Sequence, residues 1–109
     1  MAIHSFGIME EGPTREQNFI NYELGNFRHV NVNDRYIEPL LKELRVMQCY
    51  WHSINRKEQG LCYCGITLIP PESLEIFLSA AIDKKHMEKL CSLLLEAQRE
   101  KKYVIHFGI

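Results

Sequence analysis

Short stretches of apolar or alternating apolar and polar residues recur along the chain, a pattern typical of β-strands. Strands are predicted for Ala2 to Met9, Phe27 to Val32, Val46 or Gln48 to Ile54, Leu61 to Ile69 and Tyr103 to Ile109. The polar segment "NRKEQG" separates the third strand from the fourth and has the length of a hairpin connection. We therefore expect the third and fourth strands to pair antiparallel.

The first of three helical patterns repeats apolar residues at the spacing of one helix face. This face consists of Ile37, Leu40, Leu41, Leu44 and Met47. Asn33 or Asp34 can cap the helix, because a short side-chain oxygen accepts from the free N–H groups of the first turn. Pro39 has no N–H to donate and must lie near the start, so the helix is expected to begin only at Glu38.

The other two helical patterns are separated by a break near Asp83. One starts at Pro71 and loses its apolar face after Ile82, and the other starts near Met87 with Asp83 as its predicted cap. The order of elements is β-β-α-β-β-α-α-β, which predicts an α+β fold. We expect one mainly antiparallel sheet of about four or five strands packed against three helices, which cover mainly one face.

Length and composition predict one globular domain spanning residues 1–109. The apolar share of 46% and the charged share of 25% are ordinary, and the net charge of −1 gives no reason to expect a nucleic-acid partner. No run of 18 apolar residues predicts a membrane span, and "MAIHSFGIMEEGPT" lacks the pattern of a secretory signal. A cytoplasmic location with reduced cysteines is therefore expected.

The cysteines permit a metal-site hypothesis. Cys49-x-x-His52 and Cys62-x-Cys64, placed side by side by a hairpin, would supply the four ligands that tetrahedral zinc requires. Residues two apart on an extended strand stand about 6–7 Å apart, however, which is too far for an undistorted shared ion. Alternation instead predicts that Cys62 and Cys64 point into the core, and Cys91 lies on an apolar helix face. The core interpretation is favoured over a metal or redox site, and no cofactor is predicted.

The histidines give no catalytic pattern. His4, His29, His52, His86 and His106 are scattered, and a histidine on a strand is more often a hydrogen-bonded structural residue than a base. Two of them lie in similar short runs, "IHSFGI" at residues 3–8 and "VIHFGI" at 104–109, which are too short to indicate a duplication. The chain also lacks a nucleophile-elbow serine and a glycine-rich phosphate loop.

The segment "CYWHSI" is the densest aromatic stretch and predicts a binding surface. Alternation places Tyr50 and His52 on one face and Trp51 with Cys49 on the other. Aromatic residues beside arginine are typical of protein interfaces. The predicted partner-binding residues are Tyr50, Trp51, His52, Arg56, Lys57 and Tyr63. The alternative is that these aromatic residues fill the core or are ordinary exposed side chains.

The segment "YCGITLIPPESLEIF", residues 63–77, resembles small uncharacterised bacterial cytosolic proteins. Some of these families look like immunity proteins encoded beside secreted toxin domains. The resemblance implies a single-domain protein that neutralises a cognate toxin by binding its active site or an adjoining surface. It transfers no functional residue to this chain.

The leading hypothesis is therefore a non-catalytic protein-binding domain of the toxin-immunity type. One alternative is a small metal- or ligand-binding domain with an enzymatic role. Another is a homodimer whose contact is the aromatic strand face.

Overall fold

The computed structural model describes residues 2–23, 25 and 28–109. In this part of the chain six strands form one sheet in the order β2-β1-β6-β5-β3-β4, and all neighbours are antiparallel. The strands are β1 (Ile3–Ile8), β2 (His29–Asn33), β3 (Gln48–Trp51), β4 (Lys57–Gln59), β5 (Ile66–Ile69) and β6 (Val104–Phe107). The predicted α+β fold is confirmed, with six strands instead of four or five.

Among the described residues, three helical segments accompany the sheet. The first combines α1 (Asp34–Ile37), a 3-10 turn (Glu38–Leu40) and α2 (Leu41–Leu44), the second combines a 3-10 turn (Pro71–Ser73) and α3 (Leu74–Ala81), and the third is α4 (Glu88–Glu100). The predicted break between the second and third segments is confirmed.

The helix ends differ in part from the prediction. Asn33 caps α1 as expected, because its side chain accepts a 2.9 Å hydrogen bond from the Arg35 N–H. The helical segment begins at Asp34 and not at Glu38. Pro39 is tolerated inside it because the backbone there forms a 3-10 turn, and Pro39 lies in the first turn of that element, where its missing N–H leaves no hydrogen bond unmade. Asp83 does not cap α4, whose N-cap residue is Met87.

The predicted antiparallel pairing of the third and fourth strands is confirmed between β3 and β5. Tyr50 lies opposite Leu68 and Trp51 lies opposite Thr67. The polar connection between them contains a further strand, β4, in which Glu58 lies opposite Cys49. Periodicity gave no signal for β4, because an edge strand of three polar residues buries no apolar face.

Several strands are shorter than predicted; the third, for example, ends at Trp51 and not at Ile54. The strand predicted from Leu61 begins only at Ile66, because residues 61–65 form a turn. The second strand begins at His29, and its predicted first residue, Phe27, lies outside the described residues.

One face of the sheet packs against the helices and forms the main core. Phe6, Ile8, Ile69 and Val104 contribute from the strands, and Phe6 meets Phe77 of α3 edge to face, with ring centroids 5.5 Å apart. Burying side chains of this size contributes about 2–3 kcal/mol each.

The opposite face carries a second, smaller core. It contains Met9, Phe19, Ile66, Leu68 and Ile105, and Tyr50, Ile54, Tyr103 and Phe107 pack against it. Phe19 is completely buried, and its N–H donates a 2.6 Å hydrogen bond to the His52 carbonyl. Residues 9–23 therefore cover this face without forming a helix or strand.

Candidate functional site

Five polar side chains form one continuous hydrogen-bonded chain on the helix-facing side of the sheet. We call this set the polar chain, and its members are Tyr63, Asp34, His4, His106 and Thr67. The Tyr63 hydroxyl donates to Asp34 Oδ2 at 2.6 Å, and Asp34 Oδ1 lies 2.8 Å from His4 Nε2. His4 Nδ1 lies 2.8 Å from His106 Nε2, and His106 Nδ1 lies 3.1 Å from Thr67 Oγ1.

The sheet register brings the central members of the polar chain together. Thr67 lies opposite His106 between β5 and β6, and His106 lies opposite Phe6 between β6 and β1. His4 stands two residues before Phe6 on the same face, since side chains alternate along a strand. The His106 ring stacks on both the His4 ring, at 5.1 Å, and the Phe6 ring, at 4.9 Å.

The outer members come from segments beside the sheet. Asp34 is the first residue of α1, so the end of β2 delivers its carboxylate to His4. Tyr63 belongs to the turn of residues 61–65, and its ring lies 5.4 Å from the His4 ring. The same turn is held at a second point, where the Cys62 N–H donates a 2.8 Å hydrogen bond to Thr67 Oγ1.

One assignment of protons satisfies the whole polar chain when Asp34 is ionised and both histidines are neutral. His4 donates from Nε2 to Asp34 and accepts at Nδ1 from the Nε2–H of His106. Thr67 then donates its hydroxyl hydrogen to Nδ1 of His106. Among the described residues no buried side-chain nitrogen or oxygen lacks a partner. Such complete satisfaction makes a buried network rigid.

The pKa values of three members of the polar chain, Asp34, Tyr63 and His106, move away from neutrality. The hydrogen bond from Tyr63, with that from His4, holds the pKa of Asp34 below its usual range. The same contact with Asp34 raises the pKa of Tyr63 to about 12. Burial lowers the pKa of His106 to about 3, and the charge of His4 acts in the same direction. None of these three groups is therefore poised to exchange a proton at neutral pH, as a general acid or base requires.

An aromatic and basic cluster lies next to the turn, at the end of β3. The Trp51 indole N–H donates a 3.0 Å hydrogen bond to the Gly60 carbonyl, which fixes the half-buried ring. The Arg56 guanidinium lies 5.4 Å from the centroid of this ring, within the range of a cation–π contact. Arg56 also donates to the Glu58 carboxylate at 3.0 Å.

His52 connects this cluster to the turn. Its backbone is left-handed, with φ of 65°, which is uncommon for a residue other than glycine. Its Nε2 lies 4.0 Å from Cys62 Sγ. A Cβ atom on Gly65 would stand 2.5 Å from His52 Nε2 and 2.7 Å from Cys62 Sγ, so any larger residue at position 65 would require these two side chains to shift.

The six predicted binding residues fall into two groups. Trp51, His52, Arg56 and Tyr63 lie along the hairpin and the adjacent turn. Tyr50 packs against the second core on the opposite face, and Lys57 lies opposite Tyr50 in the register. Tyr50 lies on the opposite face of the sheet from Cys49, as alternation predicted, because it packs against the second core.

The four cysteines differ in their exposure to solvent. Cys91 is buried, as the core interpretation predicted, and Cys49, for which no burial was predicted, is buried as well. The inward orientation predicted for Cys62 and Cys64 was wrong: Cys62 is partly exposed and Cys64 is exposed, because both lie in the turn and not in β5. Burial raises the pKa of the Cys62 thiol, and it raises the pKa of Cys49 to about 12.

The residues of the metal-site hypothesis lie in different surroundings. Cys49 is completely buried in the main core, whereas Cys64 is exposed. Within residues 2–23, 25 and 28–109, no three histidine, cysteine, aspartate or glutamate side chains are grouped so that they could hold a metal ion.

Sequence reasoning missed four members of the polar chain: His4, Asp34, Thr67 and His106. A signal was present in the two similar runs "IHSFGI" and "VIHFGI", each of which places a histidine in an apolar strand. These runs are β1 and β6, which pair directly. Asp34 was recognised only as a capping candidate, and Thr67 carried no signal.

The fold and the site define a small α+β domain with a largely buried polar chain that ends at a half-buried turn. No family model, curated protein or solved structure matches the chain. None of the helices in the described ranges has the length and apolar character needed to cross a bilayer.

Proposed function

We propose that the protein is a non-catalytic protein-binding domain. Its binding surface, here called the turn surface, consists of Trp51, His52, Arg56, Tyr63 and Cys64. The observation that carries the proposal is the exposed Arg56 guanidinium stacked over the half-buried Trp51 indole, beside a half-buried turn. Tryptophan, tyrosine and arginine are the residues on which binding energy concentrates in protein interfaces.

The geometry of Trp51 supports this proposal. The hydrogen bond to Gly60 fixes the ring before any partner arrives, so little side-chain entropy is lost on binding. Arg56 is exposed and retains donors beyond the one directed at Glu58. A partner could therefore pair an acidic group with Arg56 while packing an apolar group against Trp51.

The chemistry of the site favours binding over catalysis. The pKa values of Asp34, Tyr63, His106 and Cys62 all shift so that the protonation state at neutral pH becomes more fixed. In particular, the thiol of Cys62 is made harder to ionise, although a nucleophilic cysteine needs the thiolate form.

Within this class we propose a bacterial, cytoplasmic immunity protein that neutralises a cognate toxin. The resemblance of residues 63–77 to immunity-type proteins supports this narrower proposal, and so do four cysteines that are all free thiols. Tyr63 and Cys64 of the turn surface lie inside the resembling segment.

Co-expression with the product of a neighbouring gene tests the proposal. We expect the two proteins to co-purify as a stable complex, and we expect Arg56→Ala to reduce recovery while the protein stays folded. Lys85→Ala, which changes an exposed residue between α3 and α4, is the matched control. Light scattering on the isolated chain separates this outcome from self-association: a stable homodimer that Arg56→Ala disrupts would identify a second copy as the occupant instead.

A further inference from the structure

The polar chain has a second self-consistent arrangement that differs by one proton. If His4 carries a hydrogen on both ring nitrogens, Nδ1 donates to His106 Nε2 instead of accepting from it. His106 can stay neutral only by moving its own hydrogen to Nδ1, which then donates to Thr67 Oγ1. One added proton thus reverses every hydrogen bond between His4 and Thr67.

We propose that the polar chain is a proton-sensitive latch: uptake of one proton at the His4–His106 pair releases the turn of residues 61–65 and thereby alters the turn surface. The regulatory part of this inference rests on the proposed binding function. The latch itself is a property of the free protein.

Thr67 connects the histidine pair to the turn, because its hydroxyl contacts both His106 and the Cys62 N–H. In the neutral arrangement its hydroxyl donates to His106 and accepts from the Cys62 N–H, so both of its contacts are satisfied. In the protonated arrangement it accepts from both groups, and its own hydrogen has no acceptor among the contacts formed by the described residues. A buried hydroxyl hydrogen without an acceptor is unfavourable, and the bond to Cys62 is the one that can yield.

The charges around the histidine pair favour placing the proton on His4. Asp34 faces His4 from α1, and its carboxylate lies against Nε2 of that ring. The Tyr63 ring also packs against the His4 ring. Tyr63 in turn feels the charges of Glu38, from the 3-10 turn after α1, and of Cys64, from the turn of residues 61–65. His106 faces His4 from β6 and is completely buried, with Phe6 stacked on its ring. His4 is thus the member of the pair that touches a carboxylate.

A proton can reach the pair through Asp34. Its side chain is 23% exposed, whereas that of His4 is completely buried. The carboxylate therefore touches both solvent and the histidine that takes up the proton.

Imidazole nitrogen NMR of the isotope-labelled full chain tests the latch between pH 7.5 and pH 5. We expect the ring hydrogen of His106 to lie on Nε2 at pH 7.5 and on Nδ1 at pH 5. The hydrogen-exchange protection factor of the Cys62 amide should fall about tenfold or more over the same range.

Two variants complete the test. Thr67→Val removes the hydroxyl with little change of shape, so the Cys62 amide should be poorly protected at both pH values, while Thr67→Ser should retain the wild-type pH dependence. A fixed His106 tautomer, an unchanged Cys62 protection factor, or global unfolding before any tautomer change would each overturn the latch. These readouts are measured on the free protein, so the latch can be refuted while the complex with a partner still forms. Conversely, Arg56→Ala should weaken partner binding and leave the His106 tautomer and the Cys62 protection factor unchanged.

Discussion

The imidazole rings of His4 and His106 lie in the core with their centroids 5.1 Å apart, joined by a 2.8 Å hydrogen bond from one ring nitrogen to the other. The two residues are 102 positions apart in the sequence and meet because β1 and β6 are neighbours in the sheet. Since both rings are completely buried, water cannot replace this bond. It links the first and last strands to Asp34 on one side and to Thr67 on the other.

Stability should fall as the solution becomes acidic. The pKa of His106 is lowered from 6.5 to about 3, so below pH 6.5 the unfolded chain binds a proton at this residue that the folded chain does not. The stability of the fold with neutral His106 is therefore undiminished above pH 6.5, and it decreases as the pH falls toward 3. Between pH 6.5 and 5 we expect a loss of about 2 kcal/mol, measured as the free energy of unfolding in urea. An unfolding free energy that stays constant over this interval would contradict the buried neutral state of His106.

Phe77→Ala should strongly destabilise the fold. The ring is completely buried and meets Phe6 at the centre of the main core, so truncation leaves a cavity costing about 3–5 kcal/mol. Urea unfolding measures the change. Ile82→Ala is the control, because that side chain is 62% exposed at the end of α3 and should change stability by no more than about 0.5 kcal/mol. Equal effects from the two variants would show that the assigned core is wrong.

Gly108→Ala should disturb the junction between the C-terminal segment and the turn. A Cβ atom at this position would stand 2.2 Å from the Tyr63 carbonyl oxygen, and backbone atoms cannot yield as a flexible side chain can. We expect a loss of about 1–3 kcal/mol in thermal or urea unfolding. Gly12→Ala is the matched control, since nothing lies within 4 Å of its added atom. If Gly108→Ala is as stable as Gly12→Ala, the close approach of these segments does not exist.

The cysteines should differ in reactivity toward an alkylating reagent in the folded protein. Cys64 is exposed and should be modified first, whereas Cys49 is completely buried. The pKa of Cys49, raised from 9.0 to about 12, also lowers its thiolate fraction roughly a thousandfold. Peptide mass spectrometry over a time course measures the order. Early labelling of Cys49 would place it outside the core.

The sequence allowed the α+β fold, the pairing of β3 with β5 and most helix positions to be predicted, because these features follow from local periodicity. It did not reveal β4, since Lys57, Glu58 and Gln59 form an edge strand without an apolar face. It also misplaced Cys62 and Cys64, because alternation continues through a turn as readily as through a strand. Local patterns therefore overestimated the length of β5.

The candidate site was predicted only in part. Trp51, His52 and Arg56 were recognised because they are close in sequence, and the hairpin keeps them together. The polar chain depends on the register between β1, β6 and β5, which no local pattern encodes. His4 and His106 are hydrogen-bonded, as expected of histidines on strands, but the sequence did not show that they bond to each other.

The most direct test of the proposed function is the affinity of the purified chain for the product of the neighbouring gene, measured by calorimetry at pH 7.5. We predict tight binding that Arg56→Ala weakens at least tenfold, about 1.4 kcal/mol, as expected for a residue at the centre of an interface. Lys85→Ala should bind like the wild type. Equal affinities for wild type and Arg56→Ala, or no binding at all, would contradict the proposal that the turn surface binds a protein partner.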